Sequence, residues 1–109
     1  NSVATSVVFA GTAKAWANIN GTSTLSTRDS YNVGSTTDNG TGDYTNNFTN
    51  NMVNDDFSAS TDSQDATTRT NVHSSFEGQT AGTLRIVHYE GGSITDTNRV
   101  GTIVIGDLA

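Results

Sequence analysis

The stretch TDNGTGDYTNNFTNNM, residues 37–52, decides how the chain is read. Its first half, Asp38-Asn39-Gly40-Thr41-Gly42-Asp43, offers carboxylate and amide oxygens of the kind calcium takes. EF-hand spacing is not met, because Gly40 and Gly42 stand where the second and third ligands belong. A hairpin turn explains the same letters, since glycine supplies the positive φ that tight turns require. The second half then reads as a strand that points Tyr44 and Phe48 inward, with Asn46 between them. Asn46 is the odd member. Facing a core, its amide must bond to a neighbouring strand or across a subunit boundary, because a buried amide without a partner costs about 1–3 kcal/mol.

The strand period recurs along the chain, and helical spacing does not. TSVVFAG (5–11) ends in a glycine and follows the same β reading, and KAWANING (14–21) puts Ala15, Ala17 and Ile19 on one face, with Asn20-Gly21 as a closing turn. In TLSTRDSYNV (24–33) strict alternation would bury Asp29 with Leu25 and Tyr31, so a bulge is expected near Arg28-Asp29. DDFSAST (55–61) and TRTNVHSSFEG (68–78) are weaker strands. TLRIVHYEGG (83–92) and RVGTIVIGDLA (99–109) are the clearest, the former with Leu84, Ile86 and His88 opposite Arg85, Val87 and Tyr89. A chain of 109 residues is one domain at most, 1–109, and glycine or Asn-Gly punctuation every 8 to 15 residues divides it into short strands. The fold class is all-β, an antiparallel β-sandwich with a jelly-roll-like knob shape, eight or nine short strands and no significant helix.

Composition bounds how such a domain is held together. Leu, Ile, Val and Phe make up 21 of 109 residues, about 19%, close to the level below which chains often stay disordered. The polar excess, however, is threonine, serine and asparagine with no proline, and threonine suits a pleated, half-exposed surface. A β domain short of core, gaining stability by association with copies of itself, fits both facts. A net charge of −6 with five Lys or Arg residues leaves no basic stripe for a phosphate backbone, so nucleic acid is not an expected partner. The sequence has no apolar run of about 18 residues and no basic amphipathic helix, so membrane insertion is not expected. With no cysteine there is neither a disulfide framework nor a thiolate metal site. The chain opens at Asn1 without methionine, as a processed chain or the distal piece of a longer one would.

Catalytic constellations are missing. His73 and His88 lack a third ligand at metal spacing, no serine elbow or phosphate cradle is present, and Asp55-Asp56, Asp62 and Asp65 lie in Ser/Thr-rich loops as turn residues. No enzyme, cofactor or metal is expected on this ground. The three N-x-[ST] sequons, at Asn20, Asn39 and Asn47, are what chance yields from 12 Asn, 19 Thr and 12 Ser. Trp16, the single tryptophan, shares its face with Lys14 and Asn18. It marks either a subunit interface, the simpler reading, or a platform on which a sugar stacks.

Residues 13–52, AKAWANINGTSTLSTRDSYNVGSTTDNGTGDYTNNFTNNM, carry three ordered blocks: A-W-x-N-I-N-G-T, R-D-S-Y-N-V and T-D-N-G-T-G-D-Y-T-x-N-F. They resemble a module found near the C-termini of bacteriophage tail-fibre and fibre-like virion structural proteins, and the VGTIVIGD tail resembles the way such chains end. Ala17, Thr27, Thr36 and Asn46 depart from the module, which has Val, Ile or Phe there. The resemblance implies a non-enzymatic virion protein assembled in the host cytoplasm, the C-terminal knob of a tail or head fibre. Its partners would be itself as a homotrimer, other virion proteins, and a host cell-surface glycan or protein. Loops 62–71 and 91–98 are the expected receptor contacts, through Asp65, Arg69, Asp96 and Asn98, with Trp16 and Asn46 at the subunit interface. A capsid decoration protein or an extracellular filament subunit with a purely structural role is the alternative.

Overall fold

Gly40 and Gly42 take φ of 137° and 64° and close a hairpin around Thr41, so residues 37–52 do form a turn feeding a strand. In the computed structural model, which describes residues 2–64 and 72–109, a short helix α1 (Thr5–Gly11) precedes nine strands. These are β1 (Ala13–Asn20), β2 (Ser26–Tyr31), β3 (Val33–Gly40), β4 (Asp43–Phe48), β5 (Ser58–Ser63), β6 (His73–Thr80), β7 (Thr83–Glu90), β8 (Ser93–Ile94) and β9 (Val100–Ile105). Two antiparallel sheets result: sheet I in the order β2-β1-β9-β5, and sheet II in the order β3-β4-β7-β6, with β8 paired to the end of β7. The chain is an all-β sandwich, as its period predicts.

Each sheet turns one apolar face inward. Ala15, Ala17 and Ile19 of β1 and Val100 and Val104 of β9 meet Tyr44 and Phe48 of β4 and Leu84 and Ile86 of β7. Met52 and Phe57, from the connection between β4 and β5, close one end, and the rings of Phe48 and Phe57 meet edge to face with centroids 5.7 Å apart. Tyr44 extends so far that a Cβ on Gly21 would lie 1.9 Å from its hydroxyl, which is why only glycine fits at the end of β1.

The bulge expected near Arg28-Asp29 is present. Asn18 pairs with Asp29 and Ile19 with Thr27, which leaves Arg28 as the extra residue and turns Asp29 outward to solvent. Arg28 uses its new direction to donate from Nε and Nη2 to the Asn98 carbonyl, at 3.3 and 2.7 Å. The chain then reverses at Asn32, whose φ is 58°, so residues 24–33 are not one strand but the whole of β2 and the first residue of β3.

One segment departs from the strand period. Residues 5–11 form a helix, in which the Val7 and Val8 amides bond to the Ala4 carbonyl and Thr12 Oγ1 donates to the Val8 carbonyl at 2.5 Å. A helix satisfies its amides within the segment, whereas a strand here would need a sheet edge beside it. Local β-branching therefore did not decide the outcome.

Gly21→Ala should destabilise the fold by about 1–3 kcal/mol through its collision with Tyr44. Gly78→Ala, where a Cβ meets no atom within 4 Å, should stay within about 0.5 kcal/mol of the parent. Urea midpoints at constant m-value compare the two, and equal midpoints would contradict the packing described.

Candidate functional site

Asp96 lies in the loop after β8, and its Oδ1 accepts from the Gly42 amide at 2.7 Å and from the Tyr44 hydroxyl at 3.0 Å. The residue singled out as a receptor contact is thus a clasp that ties the β3–β4 hairpin to a loop 52 residues away in sequence. Gly42 has no room for a side chain beside this loop, a Cβ there coming within 2.6 Å of the Thr95 carbonyl. Burial, followed by the hydrogen bond to the Asp96 carboxylate, pushes the Tyr44 phenol well above its ordinary value.

The other expected site residues are dispersed. Asp65 and Arg69 lie outside the described residues. Asn98 is half-buried, its carbonyl occupied by Arg28, and its Oδ1 has no hydrogen-bond partner. Asn46 is buried inside this chain and its Oδ1 accepts from Thr36 Oγ1 of β3 at 3.0 Å, the neighbouring-strand solution to its burial. Two of the positions that depart from the phage module, Thr36 and Asn46, therefore pair with each other. Among the four that are described, Trp16 alone lies on the broad outer face of a sheet, half-buried there.

The outer faces of the two sheets differ in kind. On sheet II, Asn39 Nδ2 donates to Asp43 and to Thr45, and Asn47 Nδ2 donates to Ser35 and to Thr37. Arg85 grips Asp43 with two bonds of 2.9 and 2.6 Å, and this contact holds the Asp43 carboxyl below its usual range. His73 stacks on Tyr89 at 4.9 Å, and the Tyr89 hydroxyl donates to Glu77. Side chain after side chain on this face is bonded to a neighbour.

Sheet I instead carries an apolar row across three strands. Register places Tyr31, Trp16 and Ile103 side by side, with Ser60 next, and Tyr31 and Ile103 are each more than half exposed. The next outward row reads Asp29, Asn18, Gly101, Asp62. Gly101 contributes no side chain, so two open troughs, of about 240 and about 230 Å³, meet above it and share the Asp62 wall. Trp16 and Ile103 line the first; Asn18, Gln64 and Arg99 line the second. Asn18 Oδ1 is buried and has no hydrogen-bond partner among the described residues.

A third polar group lies inside the sandwich. His88 Nε2 is 3.0 Å from Glu90 Oε2, both side chains being essentially inaccessible, and Ser74 Oγ is 3.2 Å from His88 Nδ1. A serine, an imidazole and a carboxylate in contact suggest acyl transfer, but that chemistry needs a nucleophile facing substrate and an oxyanion donor beside it. His88 is sealed by the two sheets, its amide bonded to the Gly42 carbonyl and its carbonyl to the Thr95 amide. The trio continues the inward row of β7 beyond Leu84 and Ile86 and closes the core with bonded polar groups. Among the described residues, no three His, Asp or Glu side chains gather where they could hold a metal ion.

Comparison with known proteins is silent. The chain matches no protein-family model, no curated protein and no solved structure. The face of sheet I therefore rests on its own geometry. Sequence reading found Trp16 and Asn18 on it but missed Tyr31, Gly101 and Asp62 as their neighbours. The alternation of KAWAN, SYN and TDS holds the outward positions, but only the register of four strands brings them together.

Tyr44 generates a pH prediction. Its folded-state pKa lies above the unfolded value of about 10, so the neutral phenol's contribution is complete below pH 10 and is lost as pH rises toward the folded value. Tyr44→Phe should cost about 1 kcal/mol at pH 7 and flatten the alkaline loss of stability by up to about 1.4 kcal/mol per pH unit, the one-proton limit. Urea melts of both proteins between pH 8 and 12 check this; parallel stability curves would show that burial and Asp96 do not hold the phenol neutral.

Proposed function

We propose that this chain is a non-enzymatic structural domain of a bacteriophage virion, the distal knob of a tail or head fibre, which self-associates as a homotrimer and contacts the host surface. The threefold state and the virion location follow from the resemblance of residues 13–52 to the phage fibre module. The self-association rests on α1. None of its seven residues is buried, yet Val7, Val8 and Phe9 are consecutive, spanning about 200° of the helix circumference. A helix of two turns is not stable alone in water, and one apolar over half its surface finds its stability in packing.

Several exposed apolar residues lie at the same end. Val3, Val7, Val8 and Phe9 lie there, and an open groove of about 740 Å³ runs between Phe9, Ala10 and Lys14 on one side and Val53 and Leu108 on the other. A symmetric assembly that brings α1 helices together, each reaching the groove of a neighbour, covers this surface and supplies the apolar burial that the composition lacks. The opposite reaches of the sandwich then face outward, toward the host.

Native mass measurement at micromolar concentration should find three copies. Val8→Ser with Phe9→Ser should shift the population to monomer while the β-sheet circular dichroism is retained. A folded monomer of the parent chain at that concentration would sink the assembly, and electron cryo-microscopy placing the chain on a capsid lattice would replace the fibre knob by the decoration role.

A further inference from the structure

We propose that the outer face of sheet I is a binding platform for a neutral saccharide, with Trp16 as its stacking residue and the trough above Gly101 as its hydroxyl-binding floor. The inference rests on the host-contact role only for where such a sugar would come from; the geometry stands without it.

A pyranose ring presents an apolar face of C–H groups surrounded by a rim of hydroxyls. Recognising it takes an aromatic surface next to acceptors and donors in fixed positions. Outward residues two apart on a strand are separated by about 6.8 Å and adjacent strands by about 4.8 Å, so the two rows on sheet I lie one ring-width apart. The Tyr31–Trp16–Ile103 row offers the apolar surface, and the Asp29–Asn18–Asp62 row offers carboxylate and amide groups beside it. Between them Gly101 opens the floor, and Asn18 and Asp62 line the trough beside it.

The sheet II face sharpens the contrast. There Asn, Thr, Asp and Arg side chains bond to one another. The same residue types on sheet I stand beside a half-buried tryptophan that lines an open trough. The charge of the platform selects the ligand class: Asp62 walls both troughs, Asp29 lies beyond Asn18 in the same row, Arg99 lines one trough alone, and the chain carries a net charge of −6. Uronic, sialylated or phosphorylated sugars are repelled from such a surface, and neutral hexoses or N-acetylhexosamines are not. The troughs are shallow, so each site binds weakly and gains strength through several copies acting together.

Trp16 is the only tryptophan, so its fluorescence reports on this face alone. The intact chain is titrated with cellotetraose, maltotetraose, mannotetraose and tetra-N-acetylchitotetraose, with tetragalacturonate as the anionic counterpart. At least one neutral tetrasaccharide should give a saturable change, and tetragalacturonate none. Gly101→Val fills the floor, and it should keep the melting temperature because a Cβ at 101 meets only the Asp62 carbonyl, at 3.9 Å. It should weaken the response at least tenfold. Asp62→Ala, at an exposed position, should do the same without touching the core. Silence with all four neutral sugars, equal binding of tetragalacturonate, or undiminished affinity in both variants overturns the proposal. So does a fall in oligomeric mass caused by Gly101→Val, which would make this face a contact between copies. Mass is read on the same samples: sugar binding by a monomer would discard the trimer and keep the platform, and a trimer blind to sugars would do the reverse.

Discussion

Tyr44 is the side chain on which the sandwich turns. It is fully buried, its hydroxyl reaches to Gly21 at the end of β1, and Asp96 holds that hydroxyl together with the Gly42 amide. Three distant parts of the chain are thereby set against each other: the end of β1 in sheet I, the β3–β4 hairpin in sheet II, and the loop that leads into β9. The constraint is steric at Gly21 and Gly42 and polar at Asp96, so it specifies one arrangement where a purely apolar contact would tolerate several. In a chain with so few aliphatic residues this matters, because the core alone is too small to choose its own packing.

What the core lacks, the polar ladders partly replace. Threonine and asparagine on sheet II face water, but they bond sideways along the sheet, so strands that bury little on that side still have cross-strand partners. The inner end of β7 repeats the device out of solvent, where His88, Glu90 and Ser74 bond to each other and extend the inward row past Ile86. Asn46 and Thr36 use it on a third scale, one amide and one hydroxyl standing where the resembling module carries apolar residues. Two of the four departures from that module thus compensate each other.

Much of the fold was legible because alternation of period two leaves little freedom once a face is buried. Ala15, Ala17 and Ile19 had to face the core together, and the conflict this rule created at Asp29 was resolved by the Arg28 bulge, near the position where the conflict pointed. Legibility ended where neither face is buried. β3 is exposed or half-exposed throughout, so its eight residues gave no apolar period and looked like the approach to a turn. α1 buries nothing in this chain, so its valines showed a strand preference that no sheet edge was present to accept. The site was harder still. Asp96 looked like a free loop carboxylate because its partners are more than fifty residues distant, and the neighbours of Trp16 come from three other strands whose register no local pattern encodes.

The two proposed surfaces make opposite demands on the chain, and its architecture separates them. Self-association asks for apolar area that can be removed from water, and α1 with Val53 and Leu108 provides it at one end. Saccharide contact asks for side chains already held in place, because a weak ligand cannot also order its site. Strand positions meet that demand better than loops: Trp16 lies on a central strand bonded on both sides, and the troughs run over the paired backbone of β1, β9 and β5. A loop such as 91–98 is already committed to holding the fold through Asp96 and the Asn98 carbonyl. Variation there would disturb the clasp, whereas variation at Trp16, Asn18, Asp29 and Asp62 changes only what the sheet presents. The face of sheet I is thus where this fold can change its ligand without changing itself.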